Sequence, residues 1–461
     1  MSVSEPFIPP MPSLPSESMG GLGVLIRLRR NGFSAFPQRC FVDSVVPLKA
    51  LGRPLVLACG PEAMKAVLSV QSDEFQRLKM GRRVLSPIVG EGILVSEGDI
   101  WKRRRRAMAP AFTPRMVPTL ARHIAVCAAE AVGRLPADGL VNVFAFTQRL
   151  ALDIAAVTMF SMTSEPFGLA LRTMVTDFMT GIGQPRPSDF LLPLRMPTVP
   201  GWRRHRFRRR WVALVEAIIT EREEMPAGDV PRDLFDLLVR AFGDEAGVSS
   251  GEAAPNQVMI DEVATMIVAG HETTATALFW ACLMLARVPE WQEEVAREVS
   301  DVDLSPDHAA ASLSALPVTT AVMREVLRLF PPAFMTGREA ERDTELCGVP
   351  VRRGSMLLLP FWMLHRRPEL WRDPDGFDPR RFLDGDEPDR FAFLPFGAGP
   401  HVCIGAQLAM TEAVLVLARL VQGFRFSVRE DVPVVPVGVL STRPGGEAVF
   451  RFETRKEAWS V

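Results

Sequence analysis

Phe396-Gly397-Ala398-Gly399-Pro400-His401-Val402-Cys403-Ile404-Gly405 is the most informative stretch of this 461-residue chain. Two glycines and a proline exclude regular structure ahead of Cys403, and an apolar run with helical spacing follows from Ile404 to Gly423. The sequence thus delivers one cysteine to the start of a helix, where first-turn amides and the helix dipole favour a negative sulfur. Gly397, Gly399 and Gly405 are expected to let the backbone approach a flat ligand. The chain's cysteines stand at 40, 59, 127, 282, 347 and 403, so no second thiol is close in sequence. Zinc and iron–sulfur clusters need several ligands, and a lone thiolate among hydrogen-bond donors fits a haem iron better. Cys59, Cys127, Cys282 and Cys347 read instead as buried free thiols, not a disulfide framework.

Outward from this loop the chain reads as mainly α with a minor β portion. Gln257 to Ala286 is one long apolar helix, too long for an amphipathic surface helix and expected to run through the interior. From about 61 to 300 the texture is helical, as in Pro118 to Leu135 and Trp211 to Arg222. Phe41 to Cys59, Leu346 to Pro360 and the tail after Phe424 suggest short strands. Residues 1–35 are expected to be a loosely ordered Pro-rich arm before a single domain over 36–461, with its β-rich part near 41–60, 346–360 and 424–461.

The net charge of −1 and pI near 6.6 give no general reason for nucleic-acid binding. Met1 to Gly20 lacks a basic region followed by an apolar core, and no uninterrupted apolar run reaches membrane-spanning length. A cytoplasmic protein with no membrane anchor is the expectation.

Three further patterns carry chemistry. In Ala269-Gly270-His271-Glu272-Thr273-Thr274, a glycine, an acid and two threonines interrupt the apolar helix, where they are costly unless they serve a purpose. Glu325 and Arg328 share one helix face ahead of Pro331-Pro332. Trp101 and Arg105 lie one turn apart in a basic run, and Arg there can bind a carboxylate bidentately.

Taken in chain order, from Trp101 through Ala269 and Glu325 to Cys403, the four patterns resemble the signatures of the cytochrome P-450 family, soluble bacterial type, and the likeness covers about residues 40–450. The resemblance implies a mainly α fold with a long helix over a haem b and the cysteine loop beneath it. Cys403 would ligate the iron. Trp101, Arg105, Arg338 and His401 would hold the haem propionates, with Ala269, Gly270, Phe396, Gly397, Ile404 and Gly405 also contacting the cofactor. Glu325, Arg328 and Arg381, the last from Pro379-Arg380-Arg381-Phe382, would form a buried network bracing the loop. Glu272 would carry protons inward and Thr273 would hold oxygen at the iron, while His271 faces away. Phe178, Met266, Phe334 and Met335 would line the substrate pocket, with Met179 and Phe190 further candidates.

The implied activity is monooxygenation: one atom of O2 inserted into a hydrophobic terpenoid, fatty acid, steroid or aromatic. No flavin or nicotinamide fingerprint is present, so electrons would come from a ferredoxin and its reductase. Lys102 to Arg106 would present a basic docking face, with Arg105 inward and its neighbours outward. Trp202 to Arg210, a second basic run, would begin a surface helix. The alternatives are a haem-thiolate isomerase, lyase or peroxygenase, against which Glu272-Thr273 argues, and a non-enzymatic haem sensor.

Overall fold

The long helix runs from Pro255 to Arg287, one or two residues beyond each expected end. Its C-terminal half, Leu278 to Leu285, is almost wholly buried. That half packs with the helices Val117–Gly133, Val143–Phe160, Pro317–Leu329 and Ala406–Gly423 into the main core. Its N-terminal half buries Val263, Ala264 and Ile267 in a second core with the helices Gly168–Asp177 and Val199–Glu223. A helix apolar on every side is stable only where neighbours surround it, and each fully buried Leu, Val or Phe contributes roughly 1.5–3 kcal/mol. The computed structural model describes residues 6–16, 21–50, 52–165, 167–186, 188–189, 196, 199–225, 233–243, 255–383, 385, 388–429 and 433–455.

Helix ends follow local chemistry. The Asn142 side chain accepts the Ala145 amide at 3.1 Å and opens Val143–Phe160. That helix is the one, among the described residues, long and apolar enough to cross a membrane by composition. Here its apolar face is core: Leu150 and Ile154 pack in the main cluster beside the long helix.

The β portion is larger than expected. Five strands form one sheet in the spatial order Val45–Ala50, Arg53–Ala58, Met356–Leu359, Thr336–Ala340 and Phe75–Arg77. Asp138–Asn142 pairs with Val449–Thr454, which pairs in turn with Phe424–Val428. Phe75–Arg77, Asp138–Asn142 and Thr336–Ala340 were not expected. All three are short, and they are strands because distant partners complete their hydrogen bonds.

The Pro-rich arm is a second correction. Gly21–Arg30 is a helix and Gly32–Ala35 a 3-10 turn, with Val24, Phe33 and Ala35 buried in a third core under the five-stranded sheet. Phe7 forms an isolated bridge with Phe377. The body therefore begins well before residue 36. Cys347 is a third: it is exposed, in the turn between Leu346 and Val349 with φ 47°.

Candidate functional site

The cysteine loop is closed by its own backbone. The Cys403 amide donates to Phe396 O at 2.9 Å, and Val402 N to Gly399 O at 3.1 Å. Gly397 and Gly399 both take φ 71°, a conformation that favours glycine. At Gly399 a Cβ would lie 1.7 Å from the Leu68 carbonyl oxygen, so this glycine serves a close approach of two protein segments and not of a flat ligand. The helix begins at Ala406, and the Gly405 amide, one residue earlier, lowers the pKa of the Cys403 thiol.

Cys403 is solvent-accessible, unlike Cys40, Cys59, Cys127 and Cys282. Its surroundings are still close enough that burial raises its pKa, while the Gly405 amide and the Arg105 charge pull it down. The long helix packs against the cysteine helix, and its middle has a matching open spot. Ala269 is exposed and Gly270 and Thr273 half-buried, between fully buried runs on either side. Positions i, i+1 and i+4 share one helix face. Ala333, in the segment after Pro331-Pro332, is exposed as well.

Around the loop lies an excess of positive charge. Arg77 and Arg338 are cross-strand neighbours. Arg338 is 6% exposed, and burial lowers its pKa. Arg77 falls to about 10 through burial, with Arg338 adding to the effect. Arg77 Nη2 lies 2.9 Å from His401 Nδ1, and Trp101 packs on the His401 ring at a 45° tilt with centroids 4.1 Å apart. The charge of Arg105 is felt at both His401 and Cys403. Among the described residues, Glu97 is the one carboxylate acting on Arg77 and Arg338. Arg338 is buried and Arg77 and Arg105 half-buried, and a buried cation short of counter-charge is costly, so three arginines around one carboxylate suit an anionic partner. A haem, with two propionates and an iron for the exposed thiol, fits these residues. Arg77 was missed from sequence, because a three-residue strand gives no motif and its role depends on a partner 261 positions away in the register.

The expected pairings among Glu325, Arg328 and Arg381 are present. Arg328 Nε and Nη2 donate to both Glu325 oxygens at 2.7 Å, and Arg381 Nε to Glu325 Oε1 at 3.1 Å. Arg328 also reaches the carbonyls of His365 and Gly376, each at 2.8 Å. His365, which the sequence reading omitted, links this network to the loop through Leu394 N.

The acid and the alcohol of the long helix part company. Thr273 Oγ1 donates to Ala269 O at 2.7 Å on the open face. Glu272 is turned into the protein, where Arg443 grips it through Nε at 2.6 Å and Nη2 at 2.9 Å, and Ser441 Oγ donates at 2.9 Å. Burial would raise the Glu272 pKa, but the Arg443 bonds outweigh it and hold the carboxyl below the ordinary value. Neither Arg443 nor Ser441 was anticipated. His271 is buried away from the open face, as expected, with both ring nitrogens unpartnered among the described residues.

The pocket candidates divide. Phe178 and Met266 are buried in the second core, Phe178 beside Phe207 with ring centroids 5.3 Å apart. Phe334, like Phe178, is almost wholly buried, 2% exposed, and it packs on Phe33 at 4.6 Å in the third core. Burial varies along this segment: Ala333 is exposed, Phe334 buried and Met335 half-buried. Met335 is half-buried against the third core. Phe190 lies outside the described residues. In the basic run, Lys102 and Arg106 are exposed, but Arg104 is not: it is buried and donates to Glu262 at 2.8 Å. The second basic run lies on Val199–Glu223, where Arg204 and Arg208 turn inward to Asp189 and Asp261 and the rest of the arginines stay exposed.

The sequence model of the cytochrome P-450 family matches residues 11–446. Cyclooctat-9-en-7-ol 5-monooxygenase of Streptomyces melanosporofaciens is 32% identical, over 80% of this chain and 79% of its own length. Cyclooctatin synthase of the same organism is 31% identical over 83% of this chain and 82% of its own, and a cytokinin hydroxylase of Arabidopsis thaliana 30% over 83% and 76%. The chain belongs to the cytochrome P-450 family. It is an oxidoreductase, a monooxygenase that binds haem b through a cysteine-ligated iron and draws on O2, an organic substrate and redox partners.

Proposed function

We propose that this cytochrome P-450 hydroxylates a hydrophobic small molecule, of terpenoid, fatty-acid, steroid or aromatic type, and that Cys403 is its iron ligand. The observation that carries the assignment is the accessible Cys403 thiol, set in a closed loop among Arg77, Arg105, Arg338 and His401. The two Streptomyces relatives, one of them named for a 5-monooxygenation of cyclooctat-9-en-7-ol, favour a terpenoid among these classes.

The bound cofactor supplies the oxidising power; the protein supplies position, protons and exclusion of water. Arg77, Arg105, Arg338, Trp101 and His401 would anchor the haem propionates, and Gly405 and Arg105 would stabilise the thiolate. Ala269, Gly270, Phe396, Gly397 and Ile404 would also contact the cofactor. Thr273 Oγ1, already bonded to Ala269 O, can swing its hydrogen into the open face and stabilise oxygen there. Glu272 receives protons from the solvent side and passes them toward Thr273.

Electrons come from a ferredoxin and its reductase in the cytoplasm. The exposed Lys102 and Arg106 suit an acidic donor. Salt should weaken this docking, since exposed charges are screened over about 8 Å at physiological ionic strength.

The test of substrate class is an absorption titration of the ferric protein against diterpene alcohols, fatty acids, steroids and aromatics. A shift from low to high spin with one class alone identifies it. Absence of any shift across all four classes contradicts the hydrophobic-substrate reading. Thr273→Ala should keep haem and ligand binding but divert electrons to peroxide, and unchanged coupling would remove Thr273 from the oxygen relay.

A further inference from the structure

Glu272 is held by a segment far from its own helix. Its Oε1 accepts from Ser441 Oγ and Arg443 Nε, and its Oε2 from Arg443 Nη2. Gln148 Nε2 approaches Oε2 at 3.5 Å from the helix Val143–Phe160. Ser441 and Arg443 belong to a hairpin formed by the strands Pro436–Gly438 and Thr442–Pro444.

This hairpin is fixed at several points. The Asn31 side chain donates to Pro436 O at 2.9 Å and accepts from Gly438 N at 3.0 Å. Thr442 donates through its amide to Pro332 O and through Oγ1 to Pro331 O. Trp280 Nε1, from the long helix, donates to Thr442 O at 2.7 Å. Gly438 lies under Phe334, where a Cβ would sit 2.9 Å from the ring. At its tip, Leu440 packs against the second core, which contains Met266. The hairpin is therefore one hydrogen-bonded unit with the Pro331–Met335 segment, and it carries the two groups that grip Glu272.

We propose that Arg443 and Ser441 are positioning residues for the monooxygenase reaction, holding the Glu272 carboxylate so that the C-terminal hairpin sets when that group passes protons toward Thr273. This rests on the reading of Glu272 as a proton carrier. Glu272 keeps 2% of its side-chain surface and Arg443 15%, so Arg443 is the more solvent-facing member of the pair. A proton from solvent forms an O–H bond at the carboxylate when one Arg443 contact opens. The same bond breaks as the proton moves to Thr273 Oγ1, whose own proton moves on into the open face, and the carboxylate returns to Arg443.

The groups facing Glu272 set the sign of the pH effect. Arg443 acts from the hairpin and His271 from the long helix; Gln148 faces it uncharged, and Arg172 acts on His271 from Gly168–Asp177. Without Arg443, burial dominates and the carboxyl stays protonated to higher pH. Each unit of upward shift moves the pH break of proton transfer by one unit, a factor of ~10 at fixed pH.

The experiment compares Arg443→Gln, Arg443→Lys, Ser441→Ala and Glu272→Gln in the holoenzyme. Infrared titration reads the protonated-carboxyl band without any donor. Oxygen uptake driven by a plant-type ferredoxin and its reductase gives the pH profile, the peroxide yield and the solvent isotope effect. The proposal expects a carboxyl band near neutral pH in R443Q that is absent from wild type and from the R443Q/E272Q double variant. It also expects an upward shift of the pH profile, a smaller shift in S441A, and near-recovery in R443K. Haem-loaded R443Q and S441A with unchanged infrared titration and pH profile would overturn it. A change in E272Q with none in R443Q or S441A overturns the clamp alone. No change in E272Q overturns the proton-carrier reading and the proposal with it.

Discussion

His365 Nε2 accepts the Leu394 amide at 2.8 Å, while its Nδ1 faces the Arg328 carbonyl at 3.2 Å. An imidazole that accepts at one nitrogen and donates at the other is neutral and fixed in one tautomer. It ties the Glu325–Arg328 pair to the segment that enters the cysteine loop. Replacing it with Phe leaves a buried amide and a buried carbonyl unpaired, at about 1–3 kcal/mol each. Urea unfolding of purified His365→Phe should show a loss of that size; a change within error would mean the link is incidental.

Acid should destabilise the protein partly through this residue. Burial and the charges of Arg328 and Arg366 hold His365 at about 3, against an ordinary value of 6.5. The unfolded chain therefore takes up a proton below about pH 6.5 that the folded chain refuses until about 3. Stability is full above 6.5 and falls through that window. Between pH 6 and 4, melting temperature should fall less steeply in His365→Phe than in wild type.

Glu412 should act with the opposite sign. It is buried on the cysteine helix with Oε1 unpartnered among the described residues, and burial raises it from 4.5 to about 8. The folded state keeps a proton that the unfolded state loses above 4.5, so stability declines as pH rises from 4.5 toward 8. Glu412→Gln should raise the urea midpoint at pH 8 and leave it nearly unchanged at pH 5. Equal effects at both pH values would contradict a neutral buried carboxyl.

Breaking the buried pair should be severe. Glu325 and Arg328 both have fully buried side chains. Glu325→Ala strands the Arg328 charge and should cost roughly 3–5 kcal/mol. Haem content per chain after purification, with the urea midpoint, checks this; normal loading at wild-type stability would show that the network does not brace the loop.

The parts of this site legible in the sequence were those written locally. The cysteine loop, the Glu325–Arg328 spacing and the polar break in the long helix each lie within a few residues. What escaped depends on tertiary partners. Arg77 matters because Arg338 lies across from it, His365 because Leu394 meets it, and Glu272 is clamped by Arg443 across 171 residues. Phe334 was assigned to the pocket by resemblance, yet its ring packs on Phe33, a partner 301 residues away that no local pattern shows. The N-terminal arm was read from its prolines, yet Val24 and Phe33 bury themselves in the third core. Gly399 was read as room for a ligand when the need is room for the Leu68 carbonyl.

The most direct test of the account is the absorption spectrum of the ferrous carbon monoxide complex in Cys403→His and, as a control, in Cys347→Ala, the other exposed cysteine. The account predicts that Cys347→Ala keeps the red-shifted Soret band of thiolate ligation, while Cys403→His binds haem but loses that band. A thiolate band that survives in Cys403→His, or disappears in Cys347→Ala, would contradict the assignment of Cys403 as the iron ligand.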